Sequence, residues 1–452
     1  MKSSNTMRFV SIFLACAALL LGACGESSLP DPTGKGSVRA INAIPASPVI
    51  TFRIEERTVG AAEYKSGTSA TSFDDFSYNF NFEVEYLGDS EPTRIASQEL
   101  QVVAGKDYVF VVGGTLDNAS VTVWESDERT WTGSETSFEM RFGHAAASFG
   151  SMDVYFVPEN DVAGANNLAD TLAYGESGAA SEVAEGSYTV VATTAGDIND
   201  VLFQSDELAF TSQTTLLVTF FDGDENDLTP ITVRAIQPGG AVFAFADSRT
   251  EPTTRFIHAS ADLGPVDIYD DEGLANRVVA NQVFGGVSAE VPRAAGTWTA
   301  TYTPPNDTGV TLLEKEANTV AGTRISIYAV GLNGEYDGVA LLQNRRSVSV
   351  EARLSFFHAS VNHQQVDLYI EEPGAVIDEA SSEFFGLPLG ASTGSAALAE
   401  GDYEIFVTTS GESTVLAGPF PISVALGDVV EALILDDPAD TAIAEIRLIQ
   451  NP

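Results

Sequence analysis

The sequence predicts an all-β chain, built as four tandem β-sandwich modules behind a lipoprotein signal peptide. Three observations carry that prediction. A short phrase recurs at intervals of about 100 residues, the size of one small sandwich. Stretches rich in Val, Thr, Phe and Tyr alternate with Gly, Asp, Asn and Pro turns, and no long 3.6-residue apolar period appears. The N-terminus has the charge, apolar run and cysteine of a processed leader.

The leader comes first. Lys2 and Arg8 supply its positive region, and Phe9 to Leu21 is apolar throughout most of its length. This run is shorter than the roughly 20 residues a spanning helix requires. It ends at Leu21-Gly22-Ala23-Cys24, which resembles a bacterial lipobox. The Cys24 thiol would take a diacylglycerol, and its freed amine a further chain; two or three chains hold stably where one is marginal. Cys16 has Phe13 at the upstream position and fits less well. Gly25 and Glu26 follow Cys24, and without Asp in the first place the resemblance implies the outer membrane, facing periplasm or cell surface. Residues 1–23 are thus the signal peptide and 24–37 a lipidated tether without periodic apolar pattern. With Cys24 lipidated no disulfide is available, so stability must come from packed cores.

The phrase itself marks the modules. Arg141-Phe142-Gly143-His144 is followed by Asp153, Arg255-Phe256-Ile257-His258 by Asp267, and Ser355-Phe356-Phe357-His358 by Asp367. A degenerate copy, Arg39-Ala40-Ile41-Asn42, has Thr51 at the Asp position. Three of the four histidines fall at this one register. Further landmarks follow in order: an aromatic-Gly pair (Tyr174-Gly175, Phe284-Gly285, Phe385-Gly386), then a small-Gly-x-aromatic strand entry (Glu185 to Tyr188, Ala295 to Trp298, Glu400 to Tyr403). A late, densely apolar strand closes each copy. Modules are placed at 38–136 (diverged), 138–248, 252–349 and 351–451. The linkers are only a few residues long, which predicts touching modules in a semi-rigid rod or a compact pair of pairs.

Together the phrase, the aromatic-Gly pair and the strand entry resemble the domain of unknown function family 4397, well in the second to fourth modules and weakly in the first. The resemblance implies secreted or surface-anchored modules, often in tandem, with an immunoglobulin-like fold. It implies no activity.

Composition excludes some partners. The formal net charge is −42, and removal of Lys2 and Arg8 with the leader takes it to −44. That argues against nucleic acid, which needs a basic footprint, and against a polybasic grip on anionic headgroups. Solubility in a salty medium accounts for the charge.

The chemistry is sparse. If each phrase and its Asp strand form a hairpin, His144 faces Asp153, His258 faces Asp267 and His358 faces Asp367, with Cβ atoms about 5 Å apart. A catalytic dyad or the outer shell of a metal uses such a pair. No nucleophile keeps register, since Ser260 and Ser360 correspond to Ala146, and only His363 adds a second imidazole. Asn42 and Thr51 can keep a hydrogen bond but not acid–base chemistry, so the expectation is a structural His–Asp hydrogen bond. Asp222, Asp224 and Asn226 alternate as calcium ligands would, but the loop lacks the Gly and Glu of an EF-hand, and a solvated acidic turn is favoured. No phosphate loop, nucleophile elbow or HExxH motif occurs. Trp124, Trp131 and Trp298 fall at different module positions, which favours core or interface roles over a sugar platform.

The reading is a non-enzymatic outer-membrane lipoprotein, structural, adhesive or protein-binding, with no cofactor. Its partners are the membrane, through the lipid anchor, and an unidentified envelope or extracellular protein or glycan. Carbohydrate or polymer binding is the alternative, and a hydrolase or metal-dependent enzyme using the His/Asp pairs the third option.

Overall fold

The computed structural model describes residues 31–451, apart from residue 272 and residues 378–381. The leader and Cys24 lie outside the described residues. Those described form eight β-sheets, with no helix among them.

The sheets pair into four sandwiches. In the first, one sheet orders Thr71–Asp74, Lys35–Asn42, Lys106–Thr115 and Asn118–Asp127; the other orders Arg57–Ala62, Ile50–Ile54, Ser77–Val84 and Thr93–Gln101. Strands four, one, seven and eight thus cover strands three, two, five and six. Modules 3 and 4 repeat this order. Module 2 splits its sixth strand into Val201–Gln204 and Leu208–Phe210, and adds Val242–Phe245 beside its eighth. The first strand is central and parallel to the seventh: Lys35–Asn42 on Lys106–Thr115, Ser137–His144 on Thr215–Asp222, Thr253–His258 on Arg324–Leu332, Ala352–His358 on Val429–Asp436. The class is the immunoglobulin-like two-sheet sandwich, although a constant-type immunoglobulin domain orders its strands ABED over CFG. Lys35 already belongs to the first strand, and Ser37 pairs with Ser72 and Asp107, so residues 35–37, expected in the tether, belong to the first sandwich.

Alternation along the central strands builds two buried faces rather than one. In Thr253–His258, Thr254, Phe256 and His258 point into the sandwich, where Phe256 meets Ile268, Trp298 and Tyr302. Arg255 and Ile257 point the other way and are buried as well. What covers them is the neighbouring module. Ile257, Ala259, Tyr328 and Val330 of module 3 pack on Phe357, Ala359, Leu433 and Leu435 of module 4, with the Tyr328 and Phe357 rings stacked at 3.8 Å. Modules 1 and 2 meet through the matching face, where Ile41, Ala43, Val109 and Val111 pack against Ala145, Leu217, Phe221 and Ile236. Each fully buried aliphatic side chain contributes about 1.5–3 kcal/mol, so these faces add to stability as the sandwich interiors do.

The four modules are therefore two face-to-face pairs. The segment joining modules 3 and 4 touches the other pair: Ser349 N–H donates to Ala46 O at 2.8 Å, Arg346 donates to Ser47 O, and Arg345 N–H donates to Asn226 Oδ1. Of the two arrangements that the short linkers allow, the structure has the compact one.

Candidate functional site

The histidine of each phrase ends the first strand, and its aspartate lies on the second. These strands belong to opposite sheets of the sandwich, so the expected hairpin does not form. Thr253–His258 pairs with Val291–Pro292 and Arg324–Leu332, whereas Val266–Tyr269 pairs with Arg277–Gln282 and Gly296–Thr303. The connection between them is an arch across the roughly 10 Å that separates packed sheets. Leu263 plugs that arch from the core. The expected His–Asp hydrogen bonds, His144 to Asp153, His258 to Asp267 and His358 to Asp367, are therefore replaced by other partners.

Each histidine locks its own arch. The Nε2 of His144 bonds Gly150 O at 2.9 Å, that of His258 bonds Gly264 O at 2.6 Å, and that of His358 bonds His363 O at 2.7 Å. A carbonyl can only accept, so Nε2 carries the proton. Nδ1 then accepts, from Ala146 N–H in module 2 and Ser360 N–H in module 4, both at 3.3 Å. The rings are fully buried. Burial pulls the His144 and His258 pKa values below the ordinary imidazole value and pushes that of His358 down to about 4. With Nε2–H held by a carbonyl, Nδ1 is the one nitrogen left to take a proton or a metal; it is buried, and in modules 2 and 4 it already accepts from a backbone N–H. Asn42 reproduces the lock in module 1: Nδ2 donates to Ser47 Oγ at 2.9 Å and Pro48 O at 3.4 Å, and Oδ1 accepts from Ile44 N–H at 3.0 Å.

Each aspartate ties the third strand of its own sheet to the loop after the fifth. Asp153 accepts from Thr171 Oγ1 at 2.6 Å and Gly196 N–H at 2.8 Å; Asp367 accepts from Gly386 N–H at 2.6 Å and Gly411 N–H at 2.8 Å. Asp267 accepts from Asn281 N–H at 2.7 Å, Asn306 N–H at 2.9 Å and Arg277 at 2.8 Å. Burial opposes its charge, but those two amides and the guanidinium together hold its carboxyl below the usual carboxylate range.

The acidic loop of module 2 already holds a cation, and it is a lysine. Lys65 Nζ, from module 1, lies 2.9 Å from Asp224 Oδ2 and also bonds Asp227. Asp222 accepts from Ala147 N–H at 2.9 Å and Ser148 N–H at 3.1 Å, and Asn226 accepts from Arg345 N–H. The weak calcium candidates Asp222, Asp224 and Asn226 are thus spent on protein donors, and no cluster with metal-ligand spacing occurs among the described residues. Sequence reasoning missed Lys65: the chain has few lysines, but nothing near this one in sequence pairs it with Asp224 and Asp227.

The aromatic-Gly landmark needs one reassignment. Gly175 and Gly285 donate their N–H to the carbonyls of His144 and His258 at 2.8 and 2.7 Å, and in module 4 that bond comes from Gly390, not Gly386. The matching pair is Leu389-Gly390, and Tyr64-Lys65 fills the place in module 1. These turns dock on the partner module. Tyr64 OH donates to Asp222 O at 2.7 Å, Trp124 Nε1 donates to Gly175 O at 2.7 Å, and Arg447 Nη1 donates to Phe284 O at 2.9 Å. Of the other tryptophans, Trp298 is in the module 3 core, and Trp131 Nε1 donates to Thr215 Oγ1 at 3.2 Å across the first linker.

The model of the family described as "Domain of unknown function (DUF4397)" matches residues 36–155 and 252–369. A search of the curated proteins finds no match. Among solved structures, the Bacillus anthracis TIE protein is 11% identical over 90% of this chain and 69% of its own, with a TM-score of 0.16. A variant of BcpA, the major pilin subunit of Bacillus cereus, is 12% identical over 89% of this chain and 99% of its own, with a TM-score of 0.15. The multi-modular glycogen-degrading pneumococcal virulence factor SpuA is 8% identical over 84% and 37%, with a TM-score of 0.17. Likeness this slight carries no argument about function.

Proposed function

The chain belongs to the DUF4397 family, and from that premise we propose a non-enzymatic, lipid-anchored protein of the outer membrane with a structural, adhesive or protein-binding role in the cell envelope. The observation that carries this reading is the fate of the repeated phrase. Its imidazoles are buried, neutral and bonded to backbone, and its carboxylates clamp amides, so the chain's recurring polar groups hold loops instead of facing a substrate. Two interlocked pairs on one anchor make a stiff presenter of loops, and several similar faces on one tether raise weak contacts by effective concentration.

The anchor is tested by Cys24→Ser, which should move the protein from the membrane to the soluble fraction; unchanged fractionation would contradict it. Protease added to intact cells distinguishes the roles. Cleavage of the modules supports adhesion at the surface, and protection would leave only the periplasmic structural role.

A further inference from the structure

The two module pairs close the same face with different charges. In the pair 3–4, Arg255 reaches across to Glu431 at 2.8 Å, and Tyr328 OH also bonds Glu431. The strand registers align Arg255 with Arg39, Ser355 with Arg141, and Glu431 with Leu217. In the pair 1–2 the bridging carboxylate is therefore a leucine, and the serine opposite is a second arginine. A buried charge contact between modules 1 and 2 forms elsewhere, between Lys65 and the pair Asp224 and Asp227.

Lys65 stands where the other modules have glycine. Its N–H donates to Asn42 O, as those of Gly175, Gly285 and Gly390 donate to His144 O, His258 O and His358 O. All four residues have φ between +62° and +84°, a region that glycine enters freely and lysine does not. The side chain, not the turn, accounts for a lysine there. The Lys65 and Asp224 side chains are 7% and 5% exposed, with Nζ 2.9 Å from Asp224 Oδ2. Nζ also touches Asp227 Oδ2 and lies 5.0 Å from the centre of the Tyr64 ring. Asn226 N–H donates to Asp224 Oδ1 at 2.9 Å, and Asp224 N–H donates to Asp227 Oδ2 at 2.8 Å. Arg234 adds only a longer contact with Asp227, at 3.9 Å. Burial, with Asp224 alongside, raises the Asp227 pKa above the ordinary carboxylate value.

We propose that Lys65 and Asp224 condense into an isopeptide bond that joins modules 1 and 2 covalently, with Asp227 as the proton carrier. The reaction needs no co-reactant. Burial favours the neutral forms, so the ammonium proton passes to the Asp224 carboxylate. The Nζ lone pair then attacks Cγ, and the displaced electron pair collects on Oδ1, which Asn226 N–H already faces. Asp227 gives its proton to the departing Oδ2 hydroxyl and takes one from the nitrogen. The Nζ–Cγ bond forms, the Cγ–Oδ2 bond breaks, and one water leaves; nothing is oxidised or reduced. Fixed contact between amine and acid replaces a bimolecular encounter, and the closed interface keeps out the water that would reverse the step. The ion pair docks the modules, and the amide keeps them docked. This bond is independent of the envelope role.

The test is tandem mass spectrometry of the purified intact chain after denaturation and trypsin digestion. In the wild type, the peptides carrying Lys65 and Asp224 should appear as one branched species, its mass their sum less one water, with no cleavage after Lys65. Lys65→Arg keeps the positive charge but replaces the amine with a guanidinium that stays protonated and cannot condense. Asp227→Asn keeps the contact between Lys65 and Asp224 but removes the proton carrier. Both variants should lose the branched species and yield the two peptides separately. Separate peptides in the wild type, a branch at Asp227 in place of Asp224, or a branch retained in Asp227→Asn would overturn the proposal.

Discussion

The pair 1–2 and the pair 3–4 bury the same face with different chemistry. In the second pair the two sides complete one another: Arg255 and Tyr328 from module 3 converge on Glu431 from module 4. In the first, two arginines share the face, and the modules are held instead by Trp124 lying on Gly143 and by Lys65 in the acidic loop. The geometry of pairing therefore comes from the parallel first and seventh strands, which both pairs share. The polar contacts were settled separately in each.

Four substitutions probe that contrast. Glu431→Leu gives the second pair the residue of the first. It leaves Arg255 without its bridging carboxylate, and breaking a buried ion pair from one side costs about 3–5 kcal/mol. Chemical denaturation should show that loss, together with earlier proteolysis between modules 3 and 4. Lys65→Gln strips the cation from Asp224 and Asp227, which are nearly as buried; a loss of about 3 kcal/mol is expected by the same reasoning. Calcium should restore part of it, whereas the melting temperature of the wild type should ignore calcium and chelator alike. Gly143→Ala is the smallest change. A Cβ there would overlap the Trp124 ring, so the indole must shift, at the roughly 1–3 kcal/mol of overpacking. Ile257→Ala, on the covered face of module 3, should instead leave a void in the other pair, which the near-ultraviolet signal of the stacked Tyr328 and Phe357 would report.

Much of the fold was legible because it repeats. The phrase counted the modules, and the β-rich punctuation gave their class. The partner face was written too, in strands such as Arg255 to Ala259 and Phe356 to Ala359, apolar or buried on both alternations as sheets covered on two sides require. The hairpin expectation fails because a nine-residue His–Asp spacing suits a hairpin and an inter-sheet arch equally, and spacing cannot tell which sheet a strand joins. Phe385-Gly386 copied the aromatic-Gly pattern, yet the turn needed only a positive-φ residue at 390, after a leucine. Lys65 and its acidic loop are separated by some 160 residues, and no local pattern links them.

The central claim is that the repeated histidine is a loop lock that an asparagine can replace. It is tested most directly by the stability–pH profile of a chain carrying His144→Asn, His258→Asn and His358→Asn. In the wild type, the unfolded chain protonates these imidazoles near pH 6.5, whereas the folded chain resists, His358 down to about 4. The unfolded state binds more protons over that window, so the histidine contribution to stability falls as pH drops from 6.5 towards 4. For His358 alone this amounts to about 3 kcal/mol. The triple variant should fold at pH 7 with native-like cooperativity, as module 1 does around Asn42, and should lose less stability than wild type on acidification. A variant that fails to fold at pH 7, or whose acid limb superimposes on that of the wild type, would contradict the account.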